Sequence, residues 1–259
     1  LSARPVVLAI AGSDSSGGAG IAADIRAAHD LGATLCLAVT AVTAQSDREV
    51  TAIQPVPPAV LREQVRLALG DGAVGAVKIG MLGSAAAVET VAEALAAYRH
   101  LPVVLDPVVA SSSGRRLLDD PAMAVFIERM LPLATLLTPN LPELRILAGG
   151  IAGAEPPATI AEQAEIVLAA GTRAVLVKGG HGNGESAVDL LFEPGGGAPN
   201  RFSAPRLPVA MRGTGCMLST AICVHLAQGD SLAASCRRGK NHMTTWFERT
   251  WGGADSRRG

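Results

Sequence analysis

The sequence predicts an α/β fold organised on a mostly parallel sheet, and three observations carry that expectation. Short apolar runs rich in Val, Ile and Leu alternate with amphipathic stretches along the chain, the pattern of strand–helix–strand crossovers with helices on both faces of a sheet. The runs are apolar throughout, as strands covered on both faces are. Six of them end in polar or glycine-rich turns, at the carboxyl ends where open parallel sheets bind their ligands.

Taken in order, a strand at 6–11 runs into the loop Gly12–Gly20 and a helix at 21–31. A strand at 35–42 ends in Thr43-Ala44-Gln45 and is followed by a helix at 60–69. The strand at 76–79 leads to Gly80-Met81 and a helix at 85–99; the strand at 103–105 leads to Asp106-Pro107 and a helix at 122–131. The strand at 135–137 ends in Thr138-Pro139-Asn140, a loop follows at 149–157, and a helix occupies 160–170. The strand at 174–177 ends in Lys178-Gly179-Gly180, one at 187–192 precedes a Gly/Pro-rich hairpin or loop at 193–208, and the last helix covers 216–228. Neither loop is long enough to divide the chain, no repeat is present, and a single domain over 1–259 is expected.

Hydrophobic residues make up 49% and charged residues 17%, enough for a large core and too apolar for disorder. Aromatics are only 3%, so Ala, Val, Leu and Ile must fill that core. The net charge of −1 offers no footprint for nucleic acid or an anionic membrane. No apolar run reaches the 18 residues of a membrane span, and residues 1–11 lack the basic start and long apolar stretch of a signal peptide. Cys36, Cys216, Cys223 and Cys236 lie apart with no C-x-x-C pair, which argues against zinc or a disulfide framework and for free thiols in a reducing cytoplasm.

The loop after the first strand suits a ligand approached by backbone amides at a helix N-terminus. It lacks the Gly-Lys-Ser/Thr of a Walker loop. It fits a loose dinucleotide fingerprint, but residues 35–45 hold no carboxylate to take a ribose. Asp24 falls on the apolar side of the following helix, with Ile21, Ile25 and Ala28. It is either a helix-surface acid or an acceptor for a bound ligand.

Gly213-Thr214-Gly215-Cys216 places a glycine-rich turn at the start of an apolar helix, where amides and dipole favour a phosphoryl group. That position would depress the Cys216 thiol, unless Cys216 is a buried structural cysteine. Asp106, Asn140 and Glu143 stand near successive strand ends and are the oxygen donors Mg²⁺ beside ATP phosphates requires. Each has a plainer role as turn-former or helix cap. Lys178 is a phosphate contact or a solvated strand terminus, and Lys78 a strand-end contact or one half of a buried pair. The remaining histidines show no metal-ligand spacing.

The ordered set AGSDSSGGAG at 11–20, TAQ at 43–45, VKIGML at 77–82, VVLDPVV at 103–109, LLTPNLPE at 136–143, VKGGH at 177–181 and RGTGC at 212–216 resembles the hydroxymethylpyrimidine/phosphomethylpyrimidine kinases of the ribokinase superfamily. The likeness runs from about Pro5 to Ala234. It implies a ribokinase-like three-layer α/β/α sandwich, ATP and Mg²⁺ as co-reactants, a homodimer, and two successive phosphorylations in thiamine biosynthesis. By position it implies a pyrimidine pocket of Gly12, Asp24, Gln45, Met81 and Val108, with Asp24 and Gln45 bonding the aminopyrimidine edge. Lys178, Thr214 and Asn140 would hold ATP, Asp106 and Glu143 the metal, and Cys216 with Gly213 and Gly215 would face the reacting groups. The same likeness admits a pyridoxal kinase, and a pyrimidine sensor without turnover is the alternative of a different class. Three departures stand out: Ser46 where Asn is usual, Arg212 where His or Gly is usual, and a polar, frayed-looking tail at 237–259.

Overall fold

A computed structural model describes residues 4–110, 117–118, 120–181, 184–206 and 211–255. The elements are β1 (Val6–Asp14), α1 (Gly20–Asp30), β2 (Thr34–Gln45), β3 (Val50–Pro55), α2 (Pro58–Leu69), β4 (Ala76–Ile79), α3 (Ala85–Leu95), β5 (Val103–Leu105) and α4 (Asp120–Met130). They continue with β6 (Leu136–Leu137), α5 (Leu141–Ala152), α6 (Ile160–Ala169), β7 (Val175–Val177), β8 (Ser186–Phe192), β9 (Asn200–Pro205), α7 (Thr214–Ala227) and α8 (Leu232–Asp255). Nine strands form one sheet in the order β3-β2-β1-β4-β5-β6-β7-β8-β9. From β2 to β7 the pairs are parallel; β3, β8 and β9 add antiparallel edges.

Side chains on successive strand positions enter two different cores, as the pleat requires. Leu8, Val77, Leu105, Leu137 and Val175 pack under α2 to α6, while Val7, Ala76, Val104, Leu136 and Ala174 pack under α1, α7 and α8. The three layers and both covered faces follow from strands that are apolar at most positions, with Lys78 of β4 the buried exception paired to Asp24.

Four elements were not expected from sequence. β3 is mostly exposed and carries no apolar run. β9 lies within the predicted hairpin, confirming the turn while adding its second strand; residues 207 and 208 of that stretch lie outside the described residues. The predicted loop at 149–157 begins too early, because α5 runs through Gly149 and Gly150 to Ala152. The tail corrects furthest: α8 is a 24-residue helix, not a frayed segment. Its Leu232, Cys236, Met243, Trp246 and Phe247 pack on the second core at helical spacing, and the intervening Arg, Lys and Asn hide that stripe. Residues 256–259 of the tail lie outside the described residues.

Candidate active site

A cleft of about 1060 Å³ opens at the carboxyl ends of the parallel strands. Of the residues singled out in the sequence, Gly12, Gln45, Met81, Asp106, Val108, Asn140, Glu143, Lys178, Gly213, Thr214, Gly215 and Cys216 all line it. They come from six strand ends and the start of α7, so the fold gathers residues spread over more than 200 positions. Asp24 does not line the cleft.

Asp24 is fully buried. Lys78 Nζ donates to its two oxygens at 2.8 and 3.0 Å, and Thr220 Oγ1 donates to Oδ1 at 2.8 Å. The expectation that Asp24 bonds a ligand therefore fails in this geometry: its inward helix position points it at β4 and α7, whose donors occupy the carboxylate. Lys78 is accordingly the buried half of a pair. Burial alone would depress its ammonium, but Asp24, with Cys216 and Asp106 nearby, holds it above the usual lysine range. Burial raises Asp24, opposed by Lys78; the two-pronged contact is that of an ion pair tying α1 to β4.

The turn before α7 needs its first glycine. Gly213 has φ 75°, in the left-handed region that disfavours side chains, and a Cβ there would lie 2.3 Å from the Gly18 carbonyl oxygen. The turn packs directly on the loop after β1. A Cβ on Gly215 would lie 3.1 Å from Lys178 Nζ and 3.7 Å from Asp106 Oδ2, which places those groups against the backbone of the turn.

Cys216 departs from the sequence expectation. Burial pushes its thiol up to about 11; Lys78 and a hydrogen bond from the Gly20 N–H lower it, while Asp24 and Asp106 raise it. Desolvation outweighs Lys78 and the Gly20 N–H, which favours the neutral thiol.

Lys178 bridges two acids. Its Nζ lies 2.7 Å from Asp106 Oδ1 and 3.8 Å from Glu143 Oε2. Burial would lower the ammonium, but Asp106 and Glu143 raise it above the usual range. Glu143 is pushed up to about 7 by burial and Asp106, against the pull of Lys178. Asn140 and Glu143 also form a reciprocal capping box, each side chain accepting the other's backbone N–H at 2.8 Å. The cap and the cleft position thus coexist in the same two residues.

Among the described residues no group of three His, Cys, Asp or Glu forms a metal cage. Asp106 and Glu143 fit the other mode of Mg²⁺ binding, in which one or two carboxylates share a hydrated ion with phosphates. Burial is the main reason Glu143 is raised, and Asp106 adds to it; a cation between the two carboxyls would offset both.

The far end of the cleft escaped sequence reading. There Lys240 of α8 lies 2.9 Å from Asp189 Oδ2, whose other oxygen accepts the Gly179 N–H. Arg206 donates to the carbonyls of Gly179, Gly180, Gly184 and Ser186, fixing the turn after Lys178. The charged residues that break the apolar stripe of α8 left Lys240 without a sequence signal. Arg212 pairs with Asp14 and Asp47, so the extra charge at that position is not free.

Fold and cleft together define a ribokinase-like kinase. Within that class the chain belongs to the phosphomethylpyrimidine kinase family, whose model matches residues 14–255. It is 43% identical over 93% of its length to the thiamine biosynthesis bifunctional protein ThiED of Geobacter sulfurreducens, and spans 49% of that protein. It is 42% identical to the hydroxymethylpyrimidine/phosphomethylpyrimidine kinase of Rhizobium meliloti, covering 92% of this chain and 88% of the relative. Among solved structures, phosphomethylpyrimidine kinase of Clostridium difficile superposes with TM-score 0.79 at 32% identity over 94% of this chain and all of the other. Pyridoxal kinase of Staphylococcus aureus in complex with AMP-PCP and pyridoxal gives 0.78 at 28% identity over 92% and 86%.

Proposed function

We propose that the chain transfers phosphoryl groups from ATP to 4-amino-5-hydroxymethyl-2-methylpyrimidine and then to its monophosphate, serving thiamine biosynthesis. The observation that carries this reading is the juxtaposition of Lys178 and Asp106 against the Gly213–Cys216 turn, in a family whose relatives are named for both steps. Gly12, Gln45, Met81 and Val108, which line the cleft, would receive the pyrimidine. Lys178, Thr214 and the amides of the turn would hold the phosphates, with Asn140 beside them. Asp106 and Glu143 would hold Mg²⁺, which when bound neutralises phosphate charge.

In the first step the alcohol oxygen attacks the γ-phosphorus and gives up its proton to a phosphate oxygen or solvent, the bond to the bridging oxygen breaks, and ADP leaves with the electron pair. Such a loose transfer gains mainly from positioning and charge stabilisation. A neutral Cys216 thiol suits that role as an S–H donor at the turn, not as a base. A homodimer and a cytoplasmic setting belong to the same reading; the free thiols of all four cysteines support the latter, and sedimentation of the purified chain tests the former. Among the described residues no helix is long and apolar enough to cross a membrane.

Mass-spectrometric product analysis tests the reading, with Mg·ATP and, separately, hydroxymethylpyrimidine, its monophosphate and pyridoxal. Mono- and diphosphate from the two pyrimidines is the expected result. Pyridoxal phosphate alone would favour the second reading, for which the pyridoxal-bound relative at TM-score 0.78 is the supporting observation. Pyrimidine binding with no product would indicate a sensor.

A further inference from the structure

Arg212 joins two segments of the cleft wall through four bonds. Its Nη2 donates to Asp14 Oδ2 at 2.8 Å. Its Nη1 donates to Ser16 Oγ at 3.0 Å, to the Ser46 carbonyl at 3.0 Å and to Asp47 Oδ1 at 2.8 Å. The two acids differ sharply. The Asp14 side chain is 3% exposed and also accepts from the Ser16 and Ala19 N–H groups and the Ser16 hydroxyl, so it is fixed. The Asp47 side chain is 82% exposed; an ion pair to so solvated a group is worth little, and another anion can take its place.

The other cations among the described residues of the cleft are committed. Lys78 is bound by Asp24, Lys178 by Asp106 and Lys240 by Asp189, and Arg206 is spent on backbone carbonyls. Arg212 is the one whose charge has an exchangeable partner. It lines the cleft where the loop after β1 meets the Gly213–Cys216 turn.

We propose that Arg212 is a specificity-determining residue for the second phosphorylation, releasing Asp47 to take the phosphate oxygens of the pyrimidine monophosphate. This rests on the function proposed above. In that step an oxygen of the monophosphate attacks the γ-phosphorus of ATP, the bond to the bridging oxygen breaks, and ADP departs with the electron pair, leaving a new pyrophosphate link. Both reactants are anions, whereas the alcohol of the first step is neutral. A cation beside the acceptor phosphate therefore helps the second step selectively. With Nη2 kept on Asp14, the Nη1 N–H that Asp47 gives up is the one that meets a phosphate oxygen, in a single charge-assisted bond. The retained bond to Asp14 keeps the fork aimed while the Nη1 side changes partner.

The test is steady-state kinetics with the alcohol and the monophosphate in parallel, on the wild-type chain, Arg212→Gln, Arg212→Lys and Asp47→Asn. Loss of a charge-assisted contact predicts that Arg212→Gln lowers kcat/KM for the monophosphate about tenfold more than for the alcohol. Arg212→Lys should fall between the two. Asp47→Asn, which leaves the loop bonds of Arg212 in place, should lower KM for the monophosphate with a smaller change for the alcohol. Equal losses on both substrates in the Arg212 variants, or no selective change in Asp47→Asn, would overturn the proposal and leave Arg212 as a clasp between loops. A wild-type chain that phosphorylates neither pyrimidine would instead bring down the function on which it rests.

Discussion

At Cys216 the local field and the local burial oppose each other, and burial wins. A thiol pushed up to about 11 is a poor nucleophile at neutral pH. Iodoacetamide at pH 7.5 should alkylate Cys216 far more slowly than a free cysteine, as peptide mass mapping would reveal; rapid labelling would mean that the helix terminus dominates after all. Cys216→Ala should lower turnover while leaving pyrimidine binding, read by calorimetry, largely intact. Glu143 gives a second prediction with a definite sign. Its carboxyl is raised in the folded chain to about 7 from 4.5, so the folded state binds the proton more tightly than the unfolded one. Its contribution to stability is present below about pH 4.5 and is lost as pH rises through 7. Glu143→Gln keeps a side chain able to close the capping box and should flatten this part of the profile in urea unfolding between pH 5 and 8. Most cleft residues were legible in sequence because each follows a strand at a turn. Asp24 misled for a physical reason: an inward-facing acid needs a donor, and the donor proved to be Lys78, 54 positions away, which no local spacing announces.

Elements here are joined by buried charge as well as by apolar packing. The Lys78–Asp24 pair, with Thr220, ties β4, α1 and α7 at one point. Lys78→Met should destabilise the chain by roughly 3–5 kcal/mol by leaving Asp24 uncompensated, and adding Asp24→Leu should restore much of the loss; thermal denaturation of the single and double variants measures both. Gly213→Ala places a side chain at φ 75°, 2.3 Å from the Gly18 carbonyl. It should cost at least about 1 kcal/mol and weaken nucleotide binding by moving the turn, which titration with an ATP analogue would detect. Helices whose stripe is broken by charge, such as α8, and edge strands without an apolar face, such as β3, left no clear periodic trace. The parallel strands were legible because burial on both faces fills them mostly with apolar residues, Lys78 being admitted only through its pairing with Asp24.

For the whole molecule, the sheet divides the interior into two cores of unequal closure. One is covered by α2 to α6, which lie between its own strands in the chain. The other waits for α7 and α8, the last elements. Removing residues 232–259 should expose that face, shown by Met243, Trp246 and Phe247 packing on it, and the shortened chain should aggregate in size-exclusion chromatography. A chain that retained its monomeric or dimeric profile would show that α8 is dispensable.

This late closure also acts on the ribosome. The strand that begins the sheet, β1, ends at residue 14, whereas the helix completing its second cover ends at residue 255. At about 5–20 residues per second, the intervening stretch takes roughly 10 to 50 s to translate. Once each is made, Val7, Ala76, Val104 and Leu136 await α7 and α8 to complete their shield. The nascent chain is therefore a substrate for holding chaperones on one face and nearly finished on the other, and a stop codon near the end would release it with that face still open.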